Sequence, residues 1–371
     1  MIPWYEPHFW GEEKKYVLDA LESTWISDGE YIKKFESTME KILGAKHVIT
    51  TSNGTASLML AYLALGLGPG DEIIVPGFTF AAPANMILAI GATPVFADVD
   101  AETWLLCPTS VEEKITAKTK AIVPVHIYGN VCDMDKLRHI AEKYNLYIIE
   151  DVAEAAFSTY RGQQAGTLGD IGSFSFQATK TITMGEGGAI CTNNPSLQEI
   201  ARLIRNHGMR PSKRYWHEVV GHNFRLTNLQ AALGYAQLEN VDKIIENKKR
   251  VYERYKKNLS GQQGIFLQVM TDGCEPVVWA IAVKIDSTVV SLTRDDLIIA
   301  LKEAGIETRP GFYPLSELPI YHAEPLVNAT DVARNVLSLP SYTMISDADI
   351  DHVCEVFLNI AKRNQVHNHA L

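Results

Sequence analysis

From about residue 45 onward, short β-branched runs alternate with stretches of helical periodicity. That alternation restricts the chain to strand–helix–strand units wound around a mostly parallel sheet. HVIT is followed by TSNGTASLMLAYLALGLG, a strand, a glycine-containing turn and an apolar helix that ends on glycine. EIIVP, ATPVFADVD, KAIVPV and LYIIED read as further strands, with CDMDKLRHIAEKYN as a helix between the last two. After GSFSF the strands shorten around GAICTNN, and from Thr227 a long helical stretch runs through NLQAALGYAQLENVDKIIENKKRVYERYKKNL. Beyond it, VVWAIAVKI, TRDDLIIALKEAG and DADIDHVCEVFLNIAKRN predict a strand and two helices of a smaller α+β lobe. The expected division is a large α/β domain with an N-terminal arm over 1–240 and a small C-terminal domain over 241–371, entered by the long helix.

With 371 residues, of which 46% are hydrophobic and 21% charged, the chain can bury a large core. A formal net charge of -10 argues against nucleic acid or an anionic membrane as its main partner. No apolar run reaches the roughly eighteen residues of a membrane span, and MIPWYEPHFWGEEKK lacks the basic-then-apolar pattern of a leader, so a cytoplasmic protein is expected. The five cysteines are scattered and never form C-x-x-C, which indicates neither a disulfide framework nor a metal site.

In open α/β sheets ligands gather beyond the carboxyl ends of the strands, so polar residues there are the first candidates. TSNGT opens a helix directly after a strand. Its free backbone N–H groups suit a phosphate, with Gly54 and Thr55 as contacts, the alternative being an ordinary Asn-Gly turn with a threonine cap. Asp151 ends the apolar strand LYIIED, where a carboxylate needs a cation or several donors. A pyridinium nitrogen is one such cation, and a helix cap is the competing reading. Lys180, in FSFQATKTITMGEGG, lies between an apolar strand and a glycine-rich loop, where a partly desolvated amine can form a Schiff base with an aldehyde. Ser175, on the preceding strand, can offer its hydroxyl to the same phosphate, and Gly185, Gly187 and Gly188 permit a tight turn. Phe78 and Phe80 in PGFTFAAPANM are candidates to stack on a flat ring, or core. His126 reads as a satisfied structural histidine. The pair Tyr252 and Lys256 matches the Y-x-x-x-K pattern of nicotinamide-dependent dehydrogenases, but it sits on a charge-rich helix with no glycine-rich turn before it, and reads as a solvated face.

Phosphate cradle, aromatic, carboxylate and lysine occur in one order along the chain, and in that order the sequence resembles the DegT/DnrJ/EryC1/StrS family of sugar aminotransferases. The family's S-F-x-x-x-K-x-x-x-x-G-E-G-G is matched up to Gly188, its E-D-A-A-x-A by EDVAEA, its P-V-H-x-Y-G by PVHIYG and its G-x-N-x-R by GHNFR. The resemblance implies a fold type I α/β enzyme with a mostly parallel seven-stranded sheet and pyridoxal 5'-phosphate (PLP) as cofactor. It assigns Lys180 to the cofactor's aldehyde and to proton transfer, Asp151 to the ring nitrogen, Glu154 to the neighbourhood of the ring hydroxyl and Phe80 to stacking. Gly54, Thr55 and Ser175 fall to the phosphate, and Asn223 to the phosphate in the other subunit of a homodimer with shared sites.

RYWHEVVGHNFR and IETRPGFYP resemble the members that aminate GDP-4-keto-6-deoxymannose with glutamate. QAT before the lysine, and His222 with Phe224 around Asn223, depart from those members and leave another nucleotide-linked keto-sugar open. Arg214, Tyr215, Trp216 and His217 are candidates to hold sugar or base, and Arg309 to meet a diphosphate or the donor's carboxylate. A solvated loop and an ordinary salt bridge are the alternatives. A dehydratase of the same family replaces the lysine with histidine, whereas the lysine is present here. A non-catalytic cofactor-binding scaffold is the remaining alternative.

Overall fold

The computed structural model describes residues 1–365 apart from Pro211 and His322, so the last six residues of the expected small domain lie outside the described residues. Seven strands form the main sheet: β1 (His47–Thr51), β2 (Glu72–Pro76), β3 (Thr93–Ala97), β4 (Thr119–Ile122), β5 (Tyr147–Asp151), β6 (Ile171–Ser175) and β7 (Gly188–Thr192). Their spatial order is β1-β7-β6-β5-β4-β2-β3. The run from β6 to β3 pairs in parallel. β7 alone runs against both of its neighbours. Covered on both faces, these strands are almost wholly buried, which is why they read as continuous apolar runs rather than alternating ones.

The antiparallel β7 decides where the loops go. Because β6 leaves the sheet at Ser175 and β7 enters at Gly188, directly opposite in register, the connecting loop with Lys180 stays at the carboxyl end of the parallel strands. The helix Gly54–Ala64 starts at that same end after β1 and packs on β6 and β7. Asn53 caps it by accepting the Ala56 N–H at 2.8 Å, which leaves the N–H groups of its first turn pointing outward.

The helical stretch expected from Thr227 is two helices, Asn228–Leu238 and Val241–Leu259, jointed at Glu239 and Asn240. The second one bridges two cores. Val241 and Ile244 belong to the core of the main sheet, whereas Val251, Tyr255 and Leu259 pack on a four-stranded antiparallel sheet made of Ile265–Leu267, Ile281–Ile285, Val336–Leu339 and Arg309–Pro310. Between them the fully buried Lys248 donates to the carbonyls of Trp279 and Ser341 at 3.0 and 2.8 Å. Among the described residues no carboxylate pairs with it, and burial pushes its amine down to about 7. The N-terminal arm crosses the same junction: Ile2 bridges to Ile306, and the Trp4 indole donates to Ser338. No helix among the described residues is long and apolar enough to cross a membrane.

Candidate active site

A cleft of about 730 Å³ opens at the carboxyl end of the sheet. Gly54, Thr55, Phe80, Asp151, Glu154, Ser175 and Lys180, seven residues singled out from sequence, all line it. Gly54 is dictated by close approach: a Cβ there would lie 2.7 Å from the Ser175 Cβ, so only glycine lets the helix start so near the end of β6. Thr55 is exposed and is not the cap, a role taken by Asn53, so its amide and hydroxyl face the cleft mouth. Helix N-terminus, Thr55 and Ser175 together make a cradle for a small anion. Gly185, at φ 76, and Gly188, whose Cβ would sit 2.5 Å from the Asn53 carbonyl, show that this loop also needs its glycines.

Asp151 is 5% exposed at the tip of β5. Its Oδ1 accepts the Ala153 N–H at 3.0 Å, but turns rather than a helix follow, so it caps no helix. Burial raises its carboxyl above the ordinary range, against the lowering effects of that hydrogen bond and of the Lys180 charge. A buried acid held up in this way favours a cation beside it. Glu154 is also buried and raised by burial. Its Oε2 accepts the Tyr128 N–H at 2.9 Å, and its Oε1 stands 3.7 Å from the Lys180 Nζ. Tyr128 holds a left-handed backbone at φ 59 to aim that N–H, a strained conformation of the kind that persists where function uses it.

Lys180 has a side chain only 14% exposed. Its Nζ lies over the Trp279 ring, 3.9 Å from the centroid, and its carbonyl accepts the Tyr5 hydroxyl at 3.1 Å. The Trp279 indole N–H donates to the Thr179 carbonyl. Phe80 is 60% exposed, lines the cleft and packs at a steep angle on Phe312, while Phe78 is core. His126 is a satisfied structural histidine: Nδ1 accepts the Cys132 N–H at 3.2 Å, which puts the ring proton on Nε2, 3.0 Å from the buried Glu150.

Six expected residues lie away from this chain's cleft. Arg214, Tyr215, Trp216 and His217 form an exposed turn, where Arg214 covers Tyr215 and His217 Nδ1 donates to the His207 carbonyl. Arg309 is exposed, paired with Glu307 at 2.6 Å and set over Trp4. Asn223 is exposed and bridges to Asn206, although the next residue, Phe224, accepts the Ser52 N–H beside the anion cradle. Sequence reasoning missed Thr79, Gln177, Thr179, Glu186, Trp279 and Phe312, all of which line the cleft.

An anion cradle, an exposed aromatic ring, a buried acid that calls for a cation and a lysine lining the same cleft fit PLP group by group. Together with the sheet they define a PLP-dependent enzyme of the α/β type. The chain belongs to the DegT/DnrJ/EryC1/StrS aminotransferase family, whose model matches residues 8–358, and it is accordingly a PLP-dependent sugar aminotransferase. It is 44% identical to the GDP-perosamine synthase of Caulobacter vibrioides, covering 94% of this chain and 95% of that one. To the GDP-perosamine synthase of Escherichia coli O157:H7 it is 42% identical over 95% and 97%. Among solved structures, Spr1654 of Streptococcus pneumoniae in its PLP form superposes with a TM-score of 0.93 at 29% identity, covering 98% of this chain and all of that one.

Proposed function

We propose that this enzyme transfers the amino group of glutamate to GDP-4-keto-6-deoxymannose, giving GDP-perosamine for a lipopolysaccharide O-antigen or another surface glycan, as a cytoplasmic homodimer. The observation that carries the sugar is the near-full-length similarity to GDP-perosamine synthases, and the one that carries the reaction is Lys180 lining one cleft with the buried Asp151. PLP, when bound, would supply the electron sink that makes the α carbon–hydrogen bond of glutamate acidic and lets the sugar carbon take up a proton in the return half. Lys180 would hold the cofactor's aldehyde and would then serve as the proton carrier. Asp151 would keep the ring nitrogen protonated, Glu154 would meet the ring hydroxyl, and Phe80 would stack on the ring. Gly54, Thr55 and Ser175 hold the phosphate.

Charge supports the dimer. Among the described residues the cleft lining carries Asp151, Glu154 and Glu186 but only one cation, Lys180, while the ligands are a phosphate, a dicarboxylate and a nucleotide diphosphate. Further cations would come from outside this lining. Asn223, Arg214, Tyr215, Trp216 and His217 are exposed on one stretch, and we assign them to the partner's cleft, with Asn223 on its phosphate. Arg309 is assigned to substrate as well, once released from Glu307.

The test is direct. The cofactor-loaded protein is reduced with borohydride and the pyridoxyl group mapped, then fresh enzyme is given glutamate and a panel of GDP-, dTDP- and UDP-linked keto-sugars. The proposal expects label on Lys180, a spectral change with glutamate alone, and amination of the GDP-linked 4-keto sugar in preference to the rest. Label on another lysine, or preference for a different nucleotide, would overturn the corresponding part.

A further inference from the structure

The turn that carries Lys180 holds a second side chain with donors left over. Gln177 lines the cleft and is half-buried. Its amide has a determined orientation: the Thr179 backbone N–H, 2.9 Å away, can only donate, so the atom it meets is Oε1, and the Thr179 hydroxyl donates to the same oxygen at 2.7 Å. Nε2 therefore occupies the other corner of the planar group, and among the described residues its two N–H donors meet no acceptor. The Lys180 N–H donates to the Gln177 carbonyl at 2.8 Å, so amide and ammonium ride on one turn. Trp279 ties that turn from the other lobe through the Thr179 carbonyl.

A neutral donor pair held rigid beside a reacting lysine matches a neutral oxygen. Carboxylates and phosphates find stronger partners in cations and helix N-termini. Glutamate brings two carboxylates to this cleft, whereas a 4-keto-6-deoxyhexose brings a hydroxyl on C3, beside the carbon being aminated. The geometry points to Gln177 as a specificity-determining residue for the sugar half of the reaction, its Nε2 donating to a hydroxyl oxygen of the keto-hexose next to the carbon that receives the amino group. This assignment rests on the function proposed above and deepens it.

Gln177→Glu tests it, because a carboxylate oxygen still accepts from both Thr179 donors and preserves the turn, while the N–H donors are gone. Each half-reaction of the loaded enzyme is followed by its own spectral change. The sugar half should lose about 10- to 100-fold in kcat/KM, the range expected when one directed donor in a buried site is lost. That loss should exceed the loss in the glutamate half by at least about tenfold. Wild type should also discriminate against the analogue lacking the hydroxyl beside the keto carbon, and Gln177→Glu should not. Parallel losses in both halves would make Gln177 a support of the Lys180 turn and overturn the assignment, as would a wild type indifferent to the missing hydroxyl. A wild type that reacts with glutamate but aminates no nucleotide keto-sugar would overturn the proposed function and this inference with it. Normal sugar turnover by Gln177→Glu would overturn the inference alone.

Discussion

Gly54→Ala puts one methyl group into the narrowest point of the cofactor cradle. The new Cβ would sit 2.7 Å from the Ser175 Cβ, 3.0 Å from its Oγ and 3.3 Å from its Cα. Carbon atoms in contact rest at about 3.5–4.0 Å, so the helix start and the end of β6 must part by about 1 Å. Overpacking of this kind costs about 1–3 kcal/mol. Alanine returns up to about 1 kcal/mol through its better helix propensity, which leaves a net loss of up to about 2 kcal/mol. The same displacement carries the first-turn N–H groups and the Ser175 hydroxyl apart, beyond the narrow distance range over which both can bond one phosphate. PLP titrated into the cofactor-free variant and followed by absorbance should therefore bind about 10- to 100-fold more weakly, and urea unfolding of that cofactor-free protein should report the stability loss. Gly68→Ala is the control. Its Cβ would meet nothing nearer than the Ile90 carbonyl at 3.8 Å, and the change should stay within about 0.5 kcal/mol. Wild-type PLP affinity in Gly54→Ala, beside a well-behaved control, would refute the cradle.

Asp151→Asn should separate function from stability. Burial raises the Asp151 carboxyl above its ordinary 3.8, so between that value and the raised one the folded state holds the extra proton, and stability falls as pH rises through the window. Asparagine can still accept from Ala153. The cofactor-free variant should thus equal or exceed wild type in urea midpoint at pH 8, the advantage shrinking toward pH 4, while most turnover is lost; an advantage that grows on acidification would contradict this. Lys248 has the opposite sign: its amine is depressed to about 7, so wild-type stability should climb from pH 7 toward 10, and Lys248→Met should abolish that slope. Unchanged pH dependence would mean that the buried amine does not titrate there. For the shared site, Lys180→Ala and Asn223→Asp are refolded together in equal amounts. If Asn223 serves the partner's cofactor, half the dimers are mixed and about a quarter of all sites regain both native residues. Activity no higher than that of the parents, with mixed dimers confirmed by mass, would return Asn223 to its own chain.

The strands were legible because a sheet covered on both faces leaves unbroken apolar runs such as EIIVP and LYIIED, and the polar residues that end those runs could be found by position alone. Hence Gly54, Asp151, Ser175 and Lys180 were readable. The long helix was not read correctly, since nothing in QLENVDK distinguishes a joint from a solvated turn of helix; the joint at Glu239 and Asn240 lies within the stretch packed on the main-sheet core, and the passage to the second core comes later, around Lys248. Trp279 and Phe312 were invisible for a related reason. Each looks like an ordinary core aromatic in its local segment, and only the fold brings Trp279 over the Lys180 ammonium, 99 positions away in sequence. Asn130, whose side chain bonds the Val269 carbonyl and the Thr271 N–H, shows the same limit, because its partners lie far along the chain.

The order of strands in the sheet also sets a schedule for synthesis. β1 is among the first strands to leave the ribosome, yet its one neighbour in the sheet is β7, about 140 residues later. At 5–20 residues per second the nascent strand waits roughly 10–30 s with its backbone donors and acceptors unpaired. The N-terminal arm waits longer still, since Trp4 is tied to Ser338. A chain with this topology spends its most aggregation-prone interval before its reacting lysine exists in folded form, and slowing translation between residues 51 and 188 should lower the yield of folded enzyme more than the same slowing after residue 192.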